Sequence, residues 1–560
     1  MKLRNQGLPS GSTLQSQETL LDEVRRTAGP ILRTAALAAL TFISVAAIAL
    51  ALTSCASATP EAADPAADQA TLALTTPTSA TVTFLFYDEQ GNRLNGAAVL
   101  SRMTNGGGED ILSSGTFDLD TLKAVTLNTS TLATDGTWKT PFTKLTTYLH
   151  QGLMVHWNTA DTGYSSFLLD NNGAGFTAPG TYIFNERLAL DARRQFLAAL
   201  AAKPSYMPST QFASQRAAID RCFQQLAAAA TSANRGAVGQ DCVNQLAVGM
   251  GLLMREYGSQ VAATMPDSHA FWGVTVNPGS NGGIQTDYAK LQDLASLFAP
   301  QHRWVRLVMS GTGSDDYPLL TNLASWAQTN QIQTMGQLFD SSAQASITLA
   351  TFQKRVDKAL AYPGIDKFTA WEVGNEVNGG WTGSQMPAKI AYAASHVKAK
   401  FPNKMVCLTF YWYSMQDTMK SSLFNWIGTN VTQAIKDNID CVTLSIYVDQ
   451  QPLGFSWDLV MNKLASLFPG KKVMVGEMGF INDPTVATYY KEGPASWTEE
   501  QGAEAYIHTR YPSAFATLNA VGGGFWWYYD DEMVGKTPKW HALRDTYCAI
   551  YPGLCPVGTN

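Results

Sequence analysis

The sequence predicts an α/β fold, a (β/α)8 TIM barrel preceded by a small β-sandwich and a helical connector. The first observation is that short apolar strands alternate with helical segments over residues 266–560, a pattern typical of a parallel sheet. The second is that eight such units occur, the number that closes this barrel. The third is that residues 79–185 alternate apolar and polar positions between turn residues, whereas residues 186–265 have the apolar spacing of helices.

The eight predicted barrel strands are apolar runs that end in polar or aromatic residues. They are 271–276, 304–309, 333–339, 368–376, 405–413, 441–448, 473–480 and 522–529. A doubly wound open sheet is the alternative, and the lack of a GxGxxG turn after the first strand counts against it. In a barrel, the functional residues lie at the C-terminal ends of the strands.

The predicted β-sandwich begins with "ATVTFLFYDEQGNRLNGAAVL", which indicates a strand, a turn at residues 88–92 and a second strand. This hairpin resembles the transthyretin-like, carboxypeptidase-regulatory type of module. The sandwich could serve as a spacer, as a platform for the barrel or as a carbohydrate-binding module, and the first two are favoured. The helical connector is expected to brace the barrel.

The N-terminus predicts export. A basic segment precedes an apolar run over residues 35–52, which ends in "LTSC" at Cys55 and resembles a bacterial lipobox. Residues 1–55 are therefore interpreted as a lipoprotein signal with Cys55 as the lipidated residue, or as an uncleaved membrane anchor. Residues 56–78 are rich in Ala, Pro and Thr and indicate a flexible linker. In either case the remaining chain is expected in the cell envelope, facing the periplasm or the exterior.

The composition and the cysteine count indicate which partners and which cellular compartment suit this chain. A net charge of −6 argues against a nucleic-acid partner, and an aromatic content of 11% often accompanies sugar recognition. Six cysteines remain beside Cys55, an even number that an oxidising compartment can pair. The predicted pairs are Cys222–Cys242, Cys407–Cys441 and Cys548–Cys555. No CxxC motif or His/Cys cluster indicates a metal site.

Two glutamates end predicted strands: Glu376 ends the fourth and Glu477 lies near the end of the seventh. Glycoside hydrolysis needs one carboxylic acid to protonate the leaving oxygen and a second carboxylate to attack or stabilise the sugar. The two must titrate differently. The pair therefore predicts a glycosidase, whereas Glu372, deeper on the fourth strand, is expected to be a buried support.

Other strand-end residues fit substrate binding. Arg306 and Tyr447 can hold a carboxylate ionised, Asn375 can bind a sugar 2-hydroxyl, and Trp527 can stack on a pyranose. Further candidates for substrate contacts are Trp381, Tyr411, Trp412, Asn277 and Asp340.

The motifs "WEVGNEV" and "VGEMG" resemble the signatures of glycoside hydrolase clan A, most closely those of family 5, the cellulase and mannanase type. The resemblance covers roughly residues 270–545. It implies that Glu376 is the acid/base, that Glu477 is the nucleophile, and that anomeric configuration is retained. Val377 stands where many family 5 members have Pro, and Ser445 where they often have His, so families 39 and 53 and unclassified clan members stay open.

The predicted function is that of an exported retaining glycoside hydrolase acting on a β-linked polysaccharide or oligosaccharide, with no cofactor needed. Two alternatives are kept. One is a non-catalytic polysaccharide-binding lipoprotein with a degenerate barrel, and the other is a transglycosylase in envelope polysaccharide assembly. The expected partners are the carbohydrate and, through the N-terminal lipid or anchor, the membrane.

Overall fold

A computed structural model describes residues 77–104, 115–126, 130–279, 284–309, 317–414, 419–481 and 490–556. Contacts group residues 75–560 into one unit. The predicted signal or anchor, Cys55 and the predicted linker as far as residue 76 lie outside the described residues.

Two four-stranded sheets form the N-terminal part of the described chain. Their strands are β1 (Ser79–Leu85), β2 (Gly115–Asp118), β3 (Ala124–Thr126), β4 (Thr131–Leu132), β5 (Trp138–Thr143), β6 (Gln151–Thr159), β7 (Gly163–Leu169) and β8 (Gly180–Ile183). One sheet has the order β4-β5-β1-β8 and the other β3-β2-β6-β7. The Phe86 ring lies 6.0 Å from Trp138 of the first sheet and 5.6 Å from Trp157 of the second. The aromatic side chains of both sheets therefore share one core.

The predicted first hairpin is wrong in its second strand. The turn at residues 88–92 is present, with the Asp88 N–H donating to the Asn92 carbonyl at 3.0 Å. The chain then forms helix α1 (Gly96–Met103), and the Asn95 side chain caps it by accepting from the Ala98 N–H. Val99 and Met103, four residues apart, are buried on one face of this helix. The cap and this spacing outweigh the strand propensity of the segment.

Three longer helices follow: α2 (Phe184–Ala201), α3 (Thr210–Ala228) and α4 (Ser232–Thr264). The C-terminal end of α4 packs on the C-terminal part of the chain. A Cβ on Gly258 would lie 2.0 Å from the Pro512 carbonyl oxygen, so only glycine permits this approach. The Tyr551 hydroxyl donates to the Ala262 carbonyl at 2.9 Å. Within the described ranges, no helix has the length and apolar character needed to cross a membrane.

The predicted (β/α)8 barrel is confirmed. Its strands are β9 (Phe271–Val276), β10 (Arg303–Val308), β11 (Gln333–Gln337), β12 (Ala370–Glu372), β13 (Met405–Tyr411), β14 (Cys441–Tyr447), β15 (Lys472–Gly479) and β16 (Ala520–Trp526). They pair in chain order, all parallel, and β16 closes the barrel against β9. Most strands end a few residues before the predicted bounds. The polar residues that follow therefore lie in the connections at the barrel mouth.

Helices alternate with these strands. They are α5 (Ile284–Ala295), α6 (Tyr317–Thr329), α7 (Leu349–Ala361), α8 (Met386–Lys400), α9 (Leu423–Asn430), α10 (Gln433–Asp437), α11 (Trp457–Leu467), α12 (Glu499–Ser513), α13 (Tyr529–Glu532) and α14 (Pro538–Ile550). Short 3₁₀ helices lie at Asp267–His269, Pro300–His302, Ser341–Ser346, Ile365–Lys367, Gly380–Thr382 and Gly454–Ser456.

The disulfides Cys222–Cys242 and Cys548–Cys555 are confirmed. The predicted Cys407–Cys441 pair is wrong, since both thiols are free and buried. The two residues are register partners on β13 and β14. Side chains of neighbouring parallel strands leave the sheet in the same direction about 4.8 Å apart, wider than the Cβ separation of about 3.8 Å that a disulfide needs. Both thiols instead pack in the apolar lower layer of the barrel.

A polar layer lies above that apolar layer inside the barrel. The Thr443 hydroxyl donates to the Thr409 hydroxyl at 2.7 Å, and the Thr409 hydroxyl donates to Glu372. Arg306 and Glu372 are fully buried in the same layer. Because each member has a partner, this layer gives the barrel mouth a rigid, charged floor.

Candidate active site

A cavity of about 270 Å³ lies at the C-terminal ends of the barrel strands. It is lined by Asp340, Ser341, Asn375, Glu376, Trp381, Tyr411, Tyr447, Gln450, Glu477, Trp527 and Tyr528. Both strand-end glutamates therefore face one space. Its position matches the face on which (β/α)8 barrels build functional sites.

Glu376 lies in the connection after β12 and has an unusual backbone. Its φ angle is 47°, in the left-handed region that side chains other than glycine seldom adopt. The neighbouring backbone holds it there: Val377 N–H donates to Thr409 O at 3.2 Å, and Gly379 N–H donates to Glu376 O at 2.8 Å. Such a conformation costs on the order of 1–3 kcal/mol and is found preferentially at functional sites. It directs the side chain to the cavity, where the Ser341 hydroxyl donates to Oε2 at 3.1 Å.

A bulge in β15 places Glu477. Leu444 pairs with Val475 and the next residue, Ser445, pairs with Glu477, so Gly476 is the extra residue. A Cβ on Gly476 would lie 2.1 Å from Thr443 Oγ1, inside the barrel. Regular alternation after an inward Gly476 would turn the next side chain outward. The bulge instead brings Glu477 to the inner face, a common use of bulges beside active sites.

Two side chains contact the Glu477 carboxylate. Arg306 Nη1 forms an ion pair with Oε2 at 2.8 Å, and the Tyr447 hydroxyl donates a hydrogen bond to Oε1. The Arg306 guanidinium is itself fixed by Glu372, through Nε–Oε2 at 2.6 Å and Nη2–Oε1 at 3.1 Å. The buried Glu372 thus orients the cation that Glu477 contacts.

The two cavity glutamates differ in their ionisation. Burial raises the pKa of Glu477 to about 7, against the opposing effects of the Arg306 charge and the Tyr447 hydrogen bond. Burial also raises the pKa of Glu376 well above its usual range, and the Glu477 charge raises it further, while the Ser341 hydrogen bond acts in the opposite direction. Because the Arg306 charge and the Tyr447 hydroxyl contact Glu477 and favour its ionised form, whereas Glu376 has only the Ser341 hydroxyl in the described structure, the first proton taken up by the pair resides on Glu376. One acid and one carboxylate therefore share the cavity.

Aromatic and polar side chains complete the wall. The Trp527 ring lies 5.6 Å from the Arg306 guanidinium carbon. Trp381, at 43% exposed, stands at the edge of the cavity with its ring 5.5 Å from that of Tyr411. The buried Asn375 Oδ1 has no hydrogen-bond partner in the described part of the chain. It is therefore an acceptor available to a ligand.

Three predicted substrate-binding residues do not line the cavity. Trp412 needs correction: it is 2% exposed and packs in the main hydrophobic core, because successive residues after β13 face opposite sides and Tyr411 takes the cavity side. Asn277 follows β9, and its backbone N–H donates to Asp530 at 2.7 Å. Arg306 lies beneath the cavity and contacts two residues that line it, Glu477 and Trp527.

Sequence reasoning missed three lining residues, Ser341, Gln450 and Tyr528. Ser341 follows Asp340, Tyr528 follows Trp527, and Gln450 accepts from the Tyr411 hydroxyl at 2.6 Å. All three lie just past strand ends, which was the only available signal. Among the residues described, no cluster of three or more His, Cys, Asp or Glu side chains could hold a metal ion.

Comparisons with known proteins add little. No protein-family model matches the chain, and no curated protein matches its sequence. Among solved structures, it is similar to two fungal β-1,4-galactanases (16% identity, 47% of this chain and 90% of theirs, TM-score 0.34). It is also similar to a β-mannanase from the blue mussel Mytilus edulis (13%, 50% and 92%, TM-score 0.33) and to a xylanase from Bispora sp. MEY-1 (13%, 52% and 99%, TM-score 0.34). At these TM-scores the similarities carry no argument, and the fold rests on the strand order.

Proposed function

We propose that this protein is a retaining glycoside hydrolase that cleaves β-linked polysaccharides or oligosaccharides by double displacement. The observation that carries the proposal is that Glu376 and Glu477 face one cavity in different environments. Glu477 contacts a cation and a hydroxyl donor, as a nucleophilic carboxylate requires. Glu376 lacks a contacting cation in the described structure and has the higher proton affinity, as a general acid requires.

The reaction follows from these roles. Glu477 attacks the anomeric carbon while Glu376 protonates the departing glycosidic oxygen, which breaks the C–O bond and leaves a glycosyl ester on Glu477. Glu376, now a carboxylate, takes a proton from a water molecule that attacks the same carbon. The ester bond breaks, Glu477 is restored, and the product keeps its anomeric configuration.

Neighbouring groups support the oxocarbenium-like transition state. Asn375 Oδ1 can accept from the sugar 2-hydroxyl, a contact that strengthens as positive charge develops on the ring. Trp527 offers an aromatic face to the apolar side of a pyranose. Asn375, Glu376 and Glu477 belong to the motifs that resemble those of glycoside hydrolase clan A, and family 5 is the family we propose within it.

Variants of the two glutamates test the proposal. Glu477→Ala and Glu376→Ala should each lower kcat on β-glycans by several orders of magnitude while the thermal transition is kept, because each removes a group that acts in the transition state. Added azide should restore turnover of an aryl glycoside by Glu477→Ala and give a product of inverted configuration. On substrates whose leaving group needs no proton, Glu376→Ala should keep a fast first step but accumulate the glycosyl ester, because the second step has lost its general base.

The matched control is Glu500→Ala, on the exposed first turn of α12, which should behave as wild type. Wild-type turnover by either Ala variant would contradict the proposal. An inactive wild type that binds glycans would favour the polysaccharide-binding alternative. Oligosaccharide products longer than the substrate at high acceptor concentration would favour the transglycosylase.

The proposal extends to location. The apolar run that ends at Cys55 supports an exported protein held at the cell envelope by a lipid on Cys55 or by an uncleaved anchor. Mass spectrometry of the mature N-terminus distinguishes these, since lipidation requires cleavage before Cys55.

A further inference from the structure

The connection after β14, residues 448–456, lies against the N-terminal strands β6 and β7; it is called the β14 loop below. The Ser166 hydroxyl of β7 is 2.5 Å from the Pro452 carbonyl, and the Ser456 hydroxyl donates to the Ser166 carbonyl at 2.8 Å. The Phe167 ring stacks on Phe455 with centroids 4.9 Å apart. The loop is therefore held along its length by the second N-terminal sheet.

A buried histidine of β6 contacts the middle of this loop. His156 Nδ1 lies 2.9 Å from Ser166 Oγ, and Nε2 lies 3.3 Å from the Gln451 side-chain oxygen. Burial lowers the pKa of His156 to about 4, so the ring is neutral at neutral pH and has one N–H group. Because the Gln451 side-chain oxygen can only accept, this N–H is on Nε2 and donates to Gln451. His156 can thus bridge the sheet and the loop without adding a charge.

Gln451 also connects the β14 loop to the chain that follows β13, the strand beside β14 in the barrel. The Ser414 hydroxyl, just after β13, donates to the same Gln451 oxygen at 3.1 Å. The Gln451 side-chain oxygen is therefore contacted both by His156 of the N-terminal sheet and by Ser414 of the barrel. All three residues are buried, so water cannot readily replace these contacts.

The β14 loop begins at the residue that contacts Glu477. The backbone N–H groups of Gln450 and Gln451 both donate to the Tyr447 carbonyl, at 3.2 and 2.9 Å. Tyr447 donates through its hydroxyl to Glu477, and the Gln450 side chain lines the cavity against Tyr411. A shift of Gln451 would thus be passed to Tyr447 through a tight turn.

The same sheet also contacts the connection that follows β15, the strand that carries Glu477. The Tyr164 N–H donates to the Lys491 carbonyl at 2.9 Å, and the Gly493 N–H donates to the Thr162 carbonyl at 2.9 Å. The sheet therefore contacts the connections that follow both β14 and β15, the strands that carry Tyr447 and Glu477.

We propose that the second N-terminal sheet is a positioning element of the active site, and that His156 is its positioning residue, acting through Gln451 on Tyr447 and hence on Glu477. This inference rests on the proposed function for its catalytic consequence. Its structural content, the control of Glu477 by a side chain of β6, stands without turnover.

The test compares His156→Ala with His150→Ala, a control at an exposed histidine just before β6. Besides Tyr447, the ionisable groups that act on Glu477 include Arg306, Glu372, Asp340, Glu376 and Tyr528, and neither variant alters them. The carboxyl of Glu477 is titrated by infrared difference spectroscopy, with the band assigned by its loss in Glu477→Gln. The pH profile of kcat/KM is measured on the same samples.

In His156→Ala the Tyr447 hydrogen bond should weaken, so the Glu477 titration and the acid limb of kcat/KM should both move to higher pH. We expect kcat to fall about tenfold to a hundredfold, as a small misplacement of a catalytic group does. The shift should largely vanish when His156→Ala is made in a Tyr447→Phe background. Gln451→Ala should reproduce the effect without altering the sheet, which keeps the test valid should His156→Ala fail to fold.

An unchanged Glu477 titration in folded His156→Ala or Gln451→Ala would overturn the inference, even with reduced kcat. A shifted titration in a protein that cleaves no glycan would uphold the positioning role and count against the proposed function. The two failures are therefore distinguishable.

Discussion

At the scale of single residues, the proposed chemistry depends on the three groups around the Glu477 carboxylate. Arg306 supplies the charge, Glu372 holds Arg306, and Tyr447 donates a hydrogen bond. A hydrogen bond to the ionised form of an acid lowers its pKa, so Tyr447 partly offsets the effect of burial. Each group raises or lowers the pKa of Glu477, and the direction of that change can be measured.

Tyr447→Phe should move the acid limb of kcat/KM to higher pH. Burial raises the pKa of Glu477 to about 7 and the Tyr447 hydrogen bond acts against this, so loss of the hydroxyl raises the pKa further. The ionised, reactive fraction then appears only at higher pH. The measurement is a pH profile from about pH 4 to 9, a range that spans the usual glutamate pKa and the shifted value.

A variant that is expected to lower the pKa of Glu477 serves as the control. Besides burial, the Asp340 charge raises the pKa of both Glu376 and Glu477. Asp340→Asn should therefore move the acid limb to lower pH. Shifts of the same sign in the two variants would contradict this account of Glu477.

Single residues were predicted best where strand ends fix them. Glu477 lies on a strand, and Asn375, Glu376 and Trp527 lie within four residues of a strand end, so all four reach the cavity because a barrel brings its C-terminal strand ends together. Ser341 and Gln450 could not be predicted, since connections carry no periodic pattern. Trp412 was misassigned because an aromatic triplet at a strand end does not show which residue faces inward.

At the scale of elements, the β15 bulge decides which side of the barrel Glu477 faces. A glycine inside a predicted strand often marks a bulge, so Gly476 was a signal in the sequence. The left-handed backbone of Glu376 had no comparable signal. Asn95, which caps α1, was also a signal in the sequence. The prediction instead followed the alternating strand pattern of the residues before Asn95.

Gly476→Ala should destabilise the barrel and reduce activity. Its Cβ would lie 2.1 Å from Thr443 Oγ1, too close for any real contact, so the strand or Thr443 must move. Overpacking of this kind typically costs about 1–3 kcal/mol. Because Thr443 donates to Thr409, which in turn contacts Glu372, the displacement should also disturb the support of Arg306.

The matched control is Gly251→Ala, in the middle of α4, where an added Cβ meets nothing within 4 Å. Alanine favours helix over glycine, so we expect a gain of about 0.5–1 kcal/mol and unchanged kcat/KM. Chemical unfolding and kinetics on both variants make the comparison. Equal stability of the two variants would show that the bulge tolerates a side chain.

At the scale of the whole molecule, the N-terminal sheets and helices are joined to the barrel by buried contacts. Lys203, at the end of α2, forms a buried ion pair with Asp458 of α11 at 2.6 Å. Helix α4 packs tightly on α12 at Gly258, and Phe167 stacks on Phe455. The sequence showed where strand-like alternation gives way to helical spacing of apolar residues along the chain. It carried no information on how much surface the parts bury against one another, since that depends on contacts distant in sequence.

Residues 266–560 expressed alone should therefore not form a stable, active barrel, whereas residues 75–560 should. Removing the preceding chain would expose the ring of Phe455, which stacks on Phe167, and leave Asp458 without Lys203. It would also free the β14 loop from β6 and β7. Far-UV circular dichroism, thermal melting and size-exclusion chromatography compare the two chains, and the shorter one should aggregate or lack a cooperative transition. A soluble, cooperatively melting 266–560 fragment with the kcat/KM of the longer chain would show that the sheets are a detachable module, because such a fragment would need neither their packing nor their hold on the β14 loop.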